Sequence, residues 1–418
     1  MDLYNIFDTA SFLKDTDIKS FNECVPTLDI IRGFLDETDS EEAFFIVDLT
    51  KIIDQYKSWK ENLPDIVPYY AVKCNPNEVI INLLARLGVN FDCASKNEIA
   101  TILNQNIDPS RIIFANPNRA DSHIKYARSN DVDLLTIDSP TEMYKLVVHH
   151  PKANLLIRIK VDDSKSECKF SCKFGASLKE ADELCKLAKI IGLKVVGVAF
   201  HIGSNCRDAN MYYSAINDAK TVFDIGRSYG FDMQYLDIGG GLPGFYQEGQ
   251  LQFSDYAMVI KNAIAGLFPS DYIEPTKFKQ IAELGRYFVA SSHTLVLSVI
   301  NKKERIEEST GNKYFIYYLN DGVYNSFGNV IFDHADPKLM PYNERDGELY
   351  DAIVYGFTCD GLDQIAPSCT NKVCKLPDLA CGEFVYVENM GAYTTASAST
   401  FNSFPHTKCK YILRQPST

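Results

Sequence analysis

Tyr69-Tyr70-Ala71-Val72-Lys73-Cys74-Asn75-Pro76 sets a single lysine at the end of an apolar run. The run reads as a buried strand, where a lysine is costly unless it is paired or uncharged. Burial disfavours the ammonium form, and an amine kept neutral can attack a carbonyl. Taken alone, a strand-end lysine whose head reaches water is the simpler reading. The sequence on either side reverses that preference.

Runs of the same kind recur between Phe44 and Arg286. They are Phe44–Leu49, Val89–Ala94, Ile112–Asn116, Leu134–Asp138, Leu155–Ile159, Val196–His201, Tyr235–Gly239 and Gln280–Leu284. Polar segments of helical length separate them. In Glu180–Ile191, apolar Ala181, Leu184, Leu187, Ala188 and Ile191 recur at helical spacing. Continuous apolar runs alternating with helices predict parallel strands covered on both faces. The repeat predicts a (β/α)8, TIM-like barrel over residues 42–287. Counting the Tyr69 stretch, the runs exceed the barrel's need by one, so Phe44–Leu49 either joins another domain or serves as a linker. After Arg286 the texture changes. Thr294–Ile300, Tyr314–Asn320, Leu349–Tyr355 and Phe384–Val387 read as strands with little helix between them. They predict an all-β domain, a second sheet or β-barrel, made discontinuously from residues 1–41 and 288–418. The fold class is therefore α/β plus all-β.

A chain of 418 residues is long for one core, and 46% hydrophobic content is that of a globular protein. The net charge of -13 argues against nucleic-acid and anionic-membrane binding, and suits a small cationic substrate. The N-terminus lacks a signal-peptide pattern, no apolar run is long enough for a bilayer, and the C-terminus carries no lipidation signal. The expectation is a soluble cytoplasmic protein. Its 12 cysteines then read as free thiols. Cys168 and Cys172 have a metal-like spacing but no companion pair, so no metal is expected.

A barrel places its chemistry at the C-terminal ends of its strands. Those positions hold Lys73, Asp92, Asn116, Asp138, Arg158, His201, the run Gly239-Gly240-Gly241, and Glu283 with Arg286. Each alone has a plain explanation: a core histidine, a helix-capping aspartate, a tight turn, an ion pair. Their common location favours a functional site. Backbone N–H groups of a glycine run make an anion cradle, and Arg286 adds a cation for the same anion. The Walker lysine-serine pattern is missing, so nucleotide hydrolysis is not supported. A phosphate cradle with a strand-end lysine and a carboxylate points to pyridoxal 5'-phosphate, the carboxylate keeping the pyridine nitrogen protonated.

Tyr70–Asn75, Phe91–Ser95, Phe200–Ser204, Asp237–Gly241, Asn320–Tyr324, Phe332–Ala335, Thr358–Asp363 and Glu388–Tyr393 together resemble the eukaryotic ornithine decarboxylases, in the alanine-racemase-like group of basic amino-acid decarboxylases. The resemblance covers nearly the whole chain, and Thr-Cys-Asp-Gly-Leu-Asp is its most specific segment. It implies decarboxylation of L-ornithine to putrescine, in polyamine biosynthesis. Lys73 would bind the cofactor aldehyde covalently, Glu283 would contact the pyridine nitrogen, and His201 would stack on the ring. Asp92, with Glu98 and Arg158, would hold the lysine's surroundings. Ser204, Gly239, Gly240, Gly241, Gly285, Arg286 and Tyr393 would hold the phosphate. Asp333 and Asp360 would bind the distal ammonium, with Phe332 and Tyr324 shaping the pocket. A head-to-tail homodimer would share its sites, Cys359 of one subunit protonating the α-carbon in the other, and Lys173 would pair with Asp363 across the interface.

The sequence departs from the family pattern at Leu284, Phe332, Phe357 and Asn205, which bears on cofactor affinity, substrate affinity and inhibitor response. Two other readings stand beside this one. The first is a decarboxylase of lysine, arginine or diaminopimelate. The second is a non-catalytic protein like the antizyme inhibitors, disfavoured by retention of Lys73, Asp92, Arg158, Asp333 and Cys359. The stretch 118–145 is not basic, so weak or absent antizyme binding is expected, and no degradation tail is expected after the last β segment.

Overall fold

Eight parallel strands close into a barrel in the computed structural model, which describes residues 16–37, 41–247, 249–274, 277–343, 347–365 and 374–415. In chain order they are Ile66–Ala71, Asn90–Cys93, Ile112–Phe114, Leu134–Ile137, Asn154–Arg158, Lys194–Ala199, Tyr235–Asp237 and Lys279–Leu284. The last pairs back onto the first, with Ile281 opposite Val67. Tyr69, Ile113, Leu156, Val196 and Ile281, drawn from five of the strands, pack in one buried cluster. Each such side chain contributes roughly 1.5–3 kcal/mol by leaving water.

Local signals set where the chain turns from strand to helix. The Asn77 side chain accepts the N–H groups of Val79 and Ile80 to start helix Glu78–Arg86. Ser95 accepts from Glu98 N–H to start Lys96–Leu103. Ser177 and Glu180 form a reciprocal capping box on Leu178–Ile191, which ends at left-handed Gly192, φ 76°. In that helix Ala181, Leu184 and Ala188 are buried, as their spacing predicts. A short antiparallel ribbon, Ser166–Cys168 against Ser204–Cys206, stands apart from the barrel ladder.

The chain forms two units, one of residues 55–287, the other of the segments up to Asp54 and from Phe288 onward. The second carries a nine-stranded sheet. Its long strand His293–Ile306 pairs antiparallel with Phe44–Asp48, Phe384–Val387 and Lys313–Leu319, with a register shift between Val299 and Asn301. Lys313–Leu319 runs parallel to Tyr350–Tyr355. The first described residues add one strand, Ile18–Asn22, parallel to Lys408–Gln415, and one helix, Thr27–Asp36.

The surplus run is resolved here. Phe44–Asp48 lies between His293–Ile306 and Lys408–Gln415 in the sheet. The division therefore falls between Asp54 and Gln55 rather than at residue 42. All five residues of that strand are buried, so its continuous apolar pattern cannot be told from that of a barrel strand. Among the described residues no helix is long and apolar enough to cross a membrane.

Candidate active site

Lys73 sits in a single 3-10 turn, Val72–Cys74, directly after the first barrel strand. Val72 and Cys74 are buried, whereas the Lys73 side chain is 44% exposed. Its Nζ lies 2.5 Å from Asp92 Oδ2, and Asp92 is wholly buried. The amine is thus held by pairing and not by desolvation, which corrects the expectation drawn from the apolar run. The desolvated partner is the carboxylate. Glu98, from the helix beyond, accepts Ala94 N–H at 2.5 Å, and burial raises its carboxyl above the ordinary range.

Asp237 ends its strand, and Glu283 stands near the end of the neighbouring one; both are buried. Asp237 Oδ1 accepts Gly239 N–H at 2.8 Å. Asp237 Oδ2, Glu283 Oε1 and Asp92 Oδ1 are buried without a hydrogen-bond partner. Burial first, then the charges of Asp237 and Asp92, pushes Glu283 well above the ordinary carboxylate range. Burial also pushes Asp237 up to about 7, against the Gly239 N–H that favours its charged form. Carboxyls so placed share protons unless a cation arrives.

His201 follows the strand Lys194–Ala199. Burial, then the charges of Arg158 and Lys73, holds its imidazole well below the ordinary value. The neutral ring accepts Gly203 N–H on Nδ1 at 3.1 Å, which leaves its proton on Nε2. Phe170 meets the ring edge-on at 5.0 Å. Arg158, which ends its own strand, lies 4.8 Å from the Phe174 ring.

The glycine run lies against these groups. A Cβ on Gly240 would come within 2.9 Å of His201 Nε2 and 2.5 Å of the Glu283 carbonyl. Gly239 and Gly241 have φ of 61° and 120°, and a Cβ on Gly239 would run into the Phe200 carbonyl. Arg286, joined to Leu284 by Gly285, donates from Nη2 to Ser204 Oγ at 3.0 Å and from Nε at 3.3 Å. Asn116 and Asp138 have local duties: Asn116 donates to Ala94 O at 3.2 Å, and Asp138 accepts Gly175 N–H at 3.0 Å.

The donor set fits pyridoxal phosphate. An N–H cation on an aromatic ring is what the unpartnered, buried Glu283 oxygen lacks. A flat neutral imidazole, a lysine amine, and a side-chain-free backbone run near a serine and an arginine complete the match.

A second set gathers in the β unit. Cys359 is exposed, and its N–H donates to Asn402 Oδ1 at 3.0 Å. Tyr324 donates its hydroxyl to Asp360, which holds that carboxyl below the ordinary range and the tyrosine above its own. Asp363 is 1% exposed. Its Oδ1 accepts Val323 N–H at 2.8 Å, and its Oδ2 accepts Thr358 N–H at 2.9 Å and the Thr358 hydroxyl at 2.7 Å. The expected pairing with Lys173 thus meets a carboxylate already anchored within its own chain. Lys173 itself lies 5.0 Å from the Phe174 ring. Asp333 is buried at the end of helix Gly328–Phe332, beside Phe332 at 68% exposed. Tyr393 is left-handed, φ 57°, and its carbonyl accepts from Ser397 Oγ at 3.0 Å.

Sequence reasoning passed over Asp237 and Asn402. The first had the same signal as Asp92, a carboxylate closing an apolar run. The second had none, because its partner is 43 residues away.

A family model described as "Pyridoxal-dependent decarboxylase, pyridoxal binding domain" matches residues 49–290. The chain is 42% identical to the ornithine decarboxylase of Rattus norvegicus, over 97% of this chain and 88% of that one. It is 40% identical to antizyme inhibitor 2 of Xenopus laevis, over 96% of this chain and 88% of that one. Among solved structures it is similar to the arginine decarboxylase of Paramecium bursaria Chlorella virus, with a TM-score of 0.85 and 32% identity. That match covers 92% of this chain and 100% of the other.

Proposed function

Because the chain belongs to the pyridoxal-dependent decarboxylase family, with ornithine decarboxylases among its similar relatives, we propose that it converts L-ornithine to putrescine and CO2. The observation that carries this reading is the Lys73–Asp92 pair together with the buried, unpartnered Oε1 of Glu283 at one end of the barrel. The cofactor, when bound, supplies an electron sink for the bond being broken. Lys73 holds its aldehyde, and Asp92 keeps that amine oriented. Glu283 holds a proton at the pyridine nitrogen. His201, neutral, presents its face to the ring. Ser204, Arg286 and the Gly239–Gly241 backbone bind the phosphate, with Gly285 and Tyr393 assigned there by resemblance.

The remaining roles are assigned on the same footing. Asp333 and Asp360 hold the distal ammonium, and Phe332 and Tyr324 shape the space around it. Two carboxylates at that place disfavour a neutral side chain. Cys359 of a second chain gives its thiol proton to the α-carbon, which makes the active form a head-to-tail homodimer. Lys173 is assigned to Asp363 of the second chain, in competition with the internal anchoring of that carboxylate. A cytoplasmic location belongs to the same proposal: the described cysteines form no disulfide, as in a reducing compartment.

Weak antizyme binding is also proposed. Within 118–145, Arg119 is 4% exposed and donates to Glu142 at 2.7 Å, and Lys145 bonds to the same carboxylate. Two of the cations in that stretch are therefore turned to internal work.

The test is a product assay on the purified protein with ornithine, lysine, arginine and diaminopimelate, with and without added pyridoxal phosphate. Putrescine formed fastest from ornithine, and only with the cofactor, is the expected result. Preference for arginine would move the reading toward the activity named for the viral neighbour, and preference for lysine or diaminopimelate toward a decarboxylase of that amino acid. No product from any of them, with no cofactor absorbance, would favour the antizyme-inhibitor relative.

A further inference from the structure

A thiol on a loop delivers a proton to one face of a carbon only when its backbone is held. The segment 399–404 holds the Cys359 loop at three places. Phe404 packs on Phe357 with ring centroids 4.0 Å apart. Asn402 Oδ1 accepts the Cys359 N–H at 3.0 Å. Phe401 stacks on Tyr324 at 4.5 Å, and Tyr324 donates its hydroxyl to Asp360. Ser399 ties this segment to Tyr324, its N–H and hydroxyl both donating to the Tyr324 carbonyl, at 2.8 and 2.9 Å.

This grip has a conformational cost. Asn402 and Ser403 are both left-handed, with φ of 53° and 62°. Outside glycine that region is disfavoured, least for asparagine and aspartate. Such strain persists where neighbouring structure enforces it, and it concentrates at functional positions.

We propose that Asn402 is a positioning residue for proton delivery: through the Cys359 N–H it fixes which way the Cys359 thiol faces. The inference rests on the reading of Cys359 as proton donor. After CO2 leaves, the electron pair on the α-carbon takes the proton from Cys359 Sγ, so a C–H bond forms, an S–H bond breaks, and the thiolate regains a proton from water. With the loop held, one face of the carbon receives the proton. With the loop released, water reaches the carbon as well.

Asn402→Gly keeps the left-handed backbone and removes the acceptor; Asn402→Asp keeps both. The holoenzymes are assayed with ornithine in deuterium oxide. Asn402→Gly is expected to lose roughly tenfold in kcat with KM within about twofold. It is also expected to yield putrescine deuterated on both faces of the new C–H centre. Wild type and Asn402→Asp are expected to deuterate a single face, with kcat of the aspartate variant recovered to at least about half. Loss of stability alone does not alter that stereochemistry. Asn402→His, which also tolerates the left-handed region, serves the same purpose should the glycine variant fail to fold. Wild-type kcat and single-face labelling in Asn402→Gly, with both lost in Cys359→Ala, overturns the positioning role and leaves the proton donor standing. Full turnover and single-face labelling in Cys359→Ala removes the premise and the inference together.

Discussion

At the barrel rim, Asp92, Asp237 and Glu283 stand on three strands of one closed ladder, and Lys73 stands one turn beyond a fourth. In the β unit, Tyr324, Cys359 and Asp360 stand on loops joined by side-chain clasps. The two regions solve the same problem by different means. The ladder fixes backbone direction through hydrogen bonds that every strand makes, so the side chains are free to be chemically costly: three buried carboxylates, each with an unpartnered oxygen. The loops have no ladder. Their polar side chains are consumed in holding the backbone, as Asp363 is by Val323 and Thr358.

The contrast is open to measurement. The largest effect is expected at Lys73. Lys73→Ala should lower turnover by roughly 10³-fold or more, abolish the visible absorbance of bound cofactor, and lower the melting temperature by leaving the Asp92 carboxylate buried without its cation. Retained absorbance would move the covalent link elsewhere in the barrel.

Next comes Asp363. Removing a buried carboxylate that satisfies two backbone N–H groups and a hydroxyl should cost roughly 3 kcal/mol in thermal unfolding and disable the loop. Lys173→Ala should change stability by less than about 0.5 kcal/mol. Equal losses from both variants would mean that pairing with a second chain, and not internal anchoring, is the main work of Asp363.

A smaller effect is expected from Asp237, as a pH dependence of the cofactor-free protein. Its folded value, about 7, lies above the ordinary 3.8. The proton is thus held more tightly in the folded state. The associated stability is fully present below about pH 3.8 and is lost as pH rises through about 7. Glu283 contributes in the same direction, with Asp92 adding to the effect and Lys73 and Arg158 opposing it. Asp237→Asn should flatten this part of a melting-temperature series; an unchanged slope would show that the pair does not share its proton there.

Among the loop clasps, a modest effect is expected at Phe357. Phe357→Ala removes the ring contact with Phe404 and should cost about 1 kcal/mol of stability. A loss in turnover larger than the loss in stability would show that this contact also steers the loop.

The same contrast explains what the sequence disclosed. Barrel positions follow from period: an apolar run, a polar residue at its end, a capped helix, then the next run. Lys73, Asp92, Arg158, His201 and Glu283 were legible for that reason, and the structure gathers them with the glycine run. Phe44–Asp48 misled because a strand buried on both faces has the same composition in either kind of sheet. Burial of Lys73 was also misread, since an apolar run says nothing about the turn that follows it. In the β unit, pattern showed the strands but not the clasps. No local signal tells Asn402 that it will meet Cys359, and only the family resemblance drew attention to the Cys359 loop.

In the strand Phe44–Asp48, Phe44 faces Val296 on one side and Lys408 on the other. During synthesis this strand leaves the ribosome early, yet neither neighbour exists until most of the chain has been made. The whole barrel segment is complete while this strand, apolar from Phe44 to Val47, waits for partners. The order of synthesis is therefore opposed to the order of pairing, and an unpaired apolar strand is prone to aggregation until Lys408–Gln415 has been made.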